Sequence, residues 1–282
     1  MSSLHVFTTG WDWEPSVIIG CIALEAGYLA IARFRFNRHT VYYTLGVFAI
    51  LFALVSPLDS LGDDYLFSAH MIQHILLDLL APPLLLLGIP SAWSDRFMAV
   101  PFVRKTERVL GQPFVAWFLG VGTLWLWHLP YLYNATLASE TVHIIEHMSF
   151  MVTGTIMWWP AVGPARDRRL APLVAVLYLY SVAIANTLLG ALLTFAPVGL
   201  YPGYVHPEDP EGILSFLRDT WHLSPEADQQ FGGLFMWVIG GIIFLWAIIA
   251  KLMEWYHNPD TLPAPSGKVG LPPTDPRAAG VA

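Results

Sequence analysis

The sequence predicts an all-α membrane protein, a bundle of seven transmembrane helices. Three observations carry that reading. Of the 282 residues, 55% are hydrophobic and only 12% charged, and the mean hydropathy is +0.54. A soluble domain carries about 25% charged residues, so this surface is too apolar for water and too uncharged for a disordered chain. Seven apolar stretches are long enough to cross a hydrocarbon core of ~30 Å, which takes about 17–25 helical residues. Finally, Lys and Arg are sorted to one side of those stretches. A net charge of −7 excludes a basic nucleic-acid footprint, and the single cysteine, Cys21, excludes a disulfide framework.

The spans fall near 16–33, 41–57, 69–90, 112–130, 141–162, 171–196 and 231–253. None shows the alternation of a barrel strand, so each must satisfy its backbone as a helix. The first lacks a basic flank before it and a small-residue cleavage site after it, and reads as a retained helix. Arg33, Arg35 and Arg38 follow span 1, and Arg96, Arg104, Lys105 and Arg108 separate spans 3 and 4. Arg166, Arg168 and Arg169 separate spans 5 and 6, and Lys251, Lys268 and Arg277 follow span 7. Thirteen of the 14 basic residues thus share one side, Arg218 excepted. The positive-inside rule then puts the N-terminus outside and the C-terminus in the cytoplasm. Residues 1–257 form one transmembrane domain on this reading, and the Pro-, Gly- and Ala-rich tail 258–282 is expected to be disordered.

The outer loops are acidic, with Asp59, Asp63 and Asp64 in one, and Glu208, Asp209, Glu211, Asp219, Glu226 and Asp228 in another. Such a surface suits cations, although depletion of Lys and Arg by topology alone would leave the same residues. Within the long loop 197–230, Gly212–Leu217 reads as a short interfacial helix.

Ten histidines are unevenly placed. His70 and His74 open span 3, and His143 and His147 open span 5. Spacing of i, i+4 puts each pair on one helix face. Spans 3 and 5 are both odd-numbered and run the same way, so the pairs lie at similar depth, with Gln73 and Glu146 at matching i+3 positions. His128 ends span 4 on that side; His5, His206 and His222 lie in outer segments, and His39 and His257 are cytoplasmic. A lone interfacial histidine is usually hydrogen-bonded filler. Two parallel pairs with a carboxylate on one face are a metal-site candidate, provided spans 3 and 5 touch. Asp78 extends the His70–His74 stripe by one turn, as ligand, imidazole-orienting acceptor or proton relay. Glu25, Cys21, Asn186, Met71, Met148 and Met151 read as packing or context.

Imidazole suits zinc, copper, iron and nickel, and spacing leaves zinc and copper open. His143-Ile144-Ile145-Glu146-His147 also fits the His-x-x-Glu-His pattern of zinc hydrolases, which gives an intramembrane zinc hydrolase as an alternative. A metal-free scaffold is another.

His70-Met71-Ile72-Gln73-His74 with Ala81-Pro82-Pro83-Leu84-Leu85-Leu86-Leu87-Gly88 resembles segments of the CtaG family, the caa3-type cytochrome c oxidase assembly factors. Trp127-His128-Leu129-Pro130, the 143–147 segment, Trp158-Trp159-Pro160 and Asp228-Gln229-Gln230-Phe231-Gly232-Gly233 are similar to further family segments in the same order. The resemblance covers about residues 10–257. It implies a bacterial plasma-membrane factor that matures a copper-containing oxidase, not an enzyme, with oxidase subunits and lipid as partners. It carries His70, His74, His128, His143, His147, Glu146 and Asp228 as motif residues. Copper as the ion, held by the four paired histidines with Glu146 or Asp78 in support, joins the two lines of reasoning. A homo-oligomer stays open.

Overall fold

The computed structural model describes residues 10–209 and 212–258. The expected disordered tail beyond 258, and His5, Glu211, Lys268 and Arg277, lie outside these. The described residues are helical, with no strand among them. The long helices are α1 (Pro15–Ile31), α2 (Arg38–Val55), α4 (Phe67–Gly88), α7 (Pro113–Trp127), α9 (Glu140–Val162), α10 (Pro172–Phe195) and α12 (Pro225–His257). Shorter ones connect them: α3 (Pro57–Asp64), α5 (Ser91–Met98), α6 (Pro101–Leu110), α8 (Pro130–Ala138) and α11 (Pro202–Val205).

Proline opens most of these helices, at Pro15, Pro57, Pro101, Pro113, Pro130, Pro172, Pro202 and Pro225. Its missing N–H falls where a helix has no acceptor for one, so each proline starts a helix at no hydrogen-bond cost. Asn37, Ser56 and Ser224 cap α2, α3 and α12 by accepting backbone amides.

Each of the seven expected stretches is a helix, but not each qualifies as a span. By length and hydropathy α2, α4, α10 and α12 can cross a membrane, and α6 with α7 makes a fifth candidate bent by 71°. At 17 residues α1 is short. Although α9 is long enough, its His and Glu residues hold its hydropathy down. Expected from 231, the last span begins at Pro225, because Ser224 and Pro225 set its start.

The centre of the bundle is α4. Of its apolar window 61% is buried, against 39% for α2 and α10 and 22% for α12. It packs against α2, α3, α9 and α12. Its partner α9 runs parallel to it: His74 meets Phe150, and Asp78 meets Gly154 one turn further along both helices. A Cβ at Gly154 would lie 2.5 Å from Asp78 Oδ1, so glycine is what lets the helices approach this closely.

Both α4 and α12 contain a π-helical stretch, at Ile75–Leu80 and Phe235–Ile239. The second is braced by Asn186 of α10, whose Nδ2 donates to the Met236 carbonyl over 2.8 Å. Such widened turns release backbone groups that need another partner.

The loop after α10 folds back over α3 and the start of α4. Its 216–220 segment is one π-helical turn, displaced toward the C-terminus from the short helix expected at 212–217, and Ile213 and Leu217 pack with Leu61, Tyr65, Leu66 and Ala69. Asp228 then closes the start of α4. It accepts the Phe67 amide at 2.8 Å, the Ser68 amide at 3.1 Å and the Ser68 hydroxyl at 2.5 Å. A carboxylate here satisfies orphan amides and opposes the positive end of the helix dipole.

Asp228→Ala would leave those buried amides unpaired. It should cost on the order of 1–3 kcal/mol, read as a lower melting temperature in detergent. Asp228→Asn, which keeps an accepting oxygen, should recover part of the loss.

Candidate metal centre

The first two turns of α4 and α9 bring their polar faces together. His70, His74, Glu146 and His147 each offer one ligand atom, and these atoms lie within 4.8 Å of one another. Glu146 is central. Its Oε2 is 3.5 Å from His70 Nε2, and its Oε1 is 3.5 Å from His74 Nε2. Two donors about 2.0–2.1 Å from one tetrahedral ion stand about 3.4 Å apart, so this spacing is that of co-ligands. It is too long, and too poorly aligned, for a good hydrogen bond. All ring nitrogens of His70 and His74, and both Glu146 oxygens, are buried without a hydrogen-bond partner. Native interiors seldom leave so many polar atoms unmatched, and the donor set fits a borderline transition-metal ion.

His143 stands one step outside. Its Nε2 lies 3.0 Å from His147 Nε2, and its Nδ1 lies 3.5 Å from Asp63 Oδ2. One ligand atom each from Asp63, His70 and His143 forms a second group within 4.8 Å. The four-histidine set expected from spacing is therefore divided: three histidines share Glu146, and His143 turns toward α3.

The other expected residues fall outside both groups. His128 packs beside the quartet, its ring centroid 5.4 Å from that of His74. Its nitrogens face the Leu124 carbonyl at 2.7 Å and Met71 Sδ at 3.4 Å. Asp78 does continue the His70–His74 stripe, but Phe150 lies against His74, and Asp78 ends on Gly154 with both oxygens unpartnered. Asp228 is engaged in capping α4. Gln73 is no counterpart of Glu146, since its Nε2 donates to Ala53 O at 3.0 Å and Asp59 Oδ1 at 2.7 Å. His206 and His222 are exposed and belong to neither group.

Two features had no local signal. Tyr133 is fully buried, with its ring centroid 5.2 Å from that of His70. Its hydroxyl is 3.1 Å from that of Tyr204, which donates to the Gly62 carbonyl. With Phe67 and Tyr201 these rings wall the histidines from water. Asp63 is the other. Gly62 draws α3 against α4, since a Cβ there would lie 3.0 Å from the His70 amide nitrogen.

The description "Cytochrome c oxidase caa3 assembly factor (Caa3_CtaG)" matches residues 26–258, most of the chain. The chain belongs to this family. The match begins within α1, later than the expected start near residue 10, and takes in both histidine pairs. Similar proteins include "Uncharacterized protein ML1998" of Mycobacterium leprae (strain TN), 24% identical over 88% of this chain and 40% of its own length. "Uncharacterized protein Mb0105" of Mycobacterium bovis is also 24% identical, over 88% of this chain and 39% of its own length. The chain spans about two fifths of the curated relatives it matches. No solved structure matches it.

On α3, at the rim of the centre, Asp59 has its carboxyl pushed up to about 7. Burial is the main cause, and Asp12 and Asp64 add to it against the hydrogen bond from Gln73. The folded state thus holds a proton that the unfolded chain releases near pH 4, and stability falls as pH rises from there to about 7. Asp59→Asn should stabilise the protein relative to wild type, and by more at pH 8 than at pH 5. Thermal melts of both proteins in one detergent check this; a gap that shrinks toward pH 8 would contradict it.

Proposed function

We propose that this caa3 assembly factor carries copper for the oxidase its family serves. Copper is held on the outer side of the bacterial plasma membrane by His70, His74, Glu146 and His147. The observation that carries the reading is the convergence of these four buried side chains, with the nitrogens of His70 and His74 and the oxygens of Glu146 otherwise unmatched. The family description supports the destination, since it names the assembly of a caa3 cytochrome c oxidase, the copper-containing oxidase that the resemblance implies.

The topology proposed with it has seven spans, the N-terminus outside and the C-terminus in the cytoplasm. Helices at all seven positions support the count, and the segregation of Lys and Arg supports the orientation. The metal centre then lies in the outer membrane half, where copper for an outward-facing oxidase centre is delivered. In this mechanism the ion is taken from the acidic outer surface and held by the quartet. It then passes to an oxidase subunit by exchange of ligands, through contact in or near the membrane. The chain's own contribution is binding, orientation and exclusion of water. Nothing is hydrolysed or oxidised.

Plasma mass spectrometry of the detergent-purified protein should find near-stoichiometric copper, absent from the His70→Ala/His74→Ala variant. Glu146→Gln, which keeps the shape but not the charge, should weaken binding. Zinc in place of copper, or a double variant that retains its copper, would overturn the assignment.

A further inference from the structure

The second donor group shares His70 with the quartet and adds Asp63 and His143, which the quartet does not use. Asp63 comes from α3, His70 from α4 and His143 from α9, so three separate helices meet there. Both ring nitrogens of His70 and the Asp63 Oδ1 atom are buried without a hydrogen-bond partner. His143 joins the groups, with one nitrogen toward Asp63 and the other toward His147.

Accessibility orders these residues. The Asp63 side chain is 36% exposed and that of His143 13%, whereas His147 is 6% exposed, His74 2%, and Glu146 and His70 0%. The path from solvent to the quartet therefore begins at Asp63. Asp59, Asp64 and Asp12 are near enough to Asp63 to act on its carboxyl, so acidic side chains gather at this end of the path.

We propose that Asp63, His70 and His143 form a second, rim position for a divalent first-row transition-metal ion, through which the ion reaches the quartet. The proposal rests on the copper reading of the quartet. One carboxylate and two imidazoles suit divalent copper or zinc. A neutral imidazole has one lone pair, so His70 serves one ion at a time and the two positions fill in turn. Moving inward, the ion exchanges Asp63 and His143 for His74, Glu146 and His147 while His70 stays bound. Only metal–ligand bonds form and break, and no electron is transferred.

The test mixes Cu2+ with the metal-free, detergent-purified full chain and follows loading by rapid-freeze electron paramagnetic resonance. Asp63→Asn should load about tenfold more slowly or worse, on the scale of the roughly 10–100-fold loss that follows removal of a group supporting a metal site. Asp63→Glu should restore most of the rate. In His74→Ala/His147→Ala the quartet is broken, yet the rim should still give a Cu2+ signal with hyperfine structure from two nitrogens. Adding Asp63→Asn to that variant should abolish the signal. Circular dichroism and gel filtration establish that each variant is folded. Loading of Asp63→Asn at the wild-type rate, or a silent quartet-broken variant, would overturn the rim position and leave the quartet standing. A wild-type protein that takes up no copper would instead overturn the copper reading, and the rim position with it.

Discussion

Glu146 is a carboxylate with no exposed surface inside a long helix of the bundle, and the rest of the centre is arranged around it. Burying an ionised carboxylate costs several kcal/mol unless positive charge or strong hydrogen bonds offset it. Among the described residues its close polar neighbours are His70 and His74, one on each oxygen, and neither makes a hydrogen bond to it. A cation between them would offset the charge and satisfy all three side chains at once. Removing the carboxylate would leave imidazoles that any membrane helix could carry at its end. With it, the site asks for a positive guest.

That demand explains features of the fold which packing alone does not require. Parallel helices must approach closely for donors on both to reach one point, and Gly154 permits this for α4 and α9. The start of α4 must be fixed, since the quartet sits in its first two turns. Asp228 fixes it from α12, 160 and 161 residues away in sequence. The tyrosine wall then excludes water, which raises both the cost of an unpaired charge and the strength of any bond that meets it. The cap, the glycine and the wall contribute no donor to the quartet, yet together they set where the donors stand.

How much of this was legible in the sequence follows from what a linear spacing encodes. The i, i+4 pairs, their shared depth and the parallel course of the two helices follow from helical periodicity and an odd count of crossings between them. Lateral neighbours do not. No spacing says that α3 leans on α4 at Gly62, so Asp63 read only as part of an acidic loop, and His143 as the fourth ligand of a symmetric set. Asp228 looked like a ligand because its side chain is chemically apt for one. Its role as a cap depends on a contact between the first and last thirds of the chain. The weakest part was the span count: α1 is short and α9 is polar, and length with hydropathy does not certify either.

The geometry of Glu146 also bears on what the site could do with an ion. In a hydrolytic zinc site the glutamate must keep an oxygen free to take a proton from bound water, and the metal must keep an open position. Here the two carboxylate oxygens each face a histidine at 3.5 Å, and Phe150 and Tyr133 lie beside the rings of His74 and His70. Exposure rises outward from the quartet through His143 to Asp63, which suits an ion that arrives and leaves by exchanging ligands. For the carrier proposed above, such burial keeps the ion from water until another set of ligands is presented.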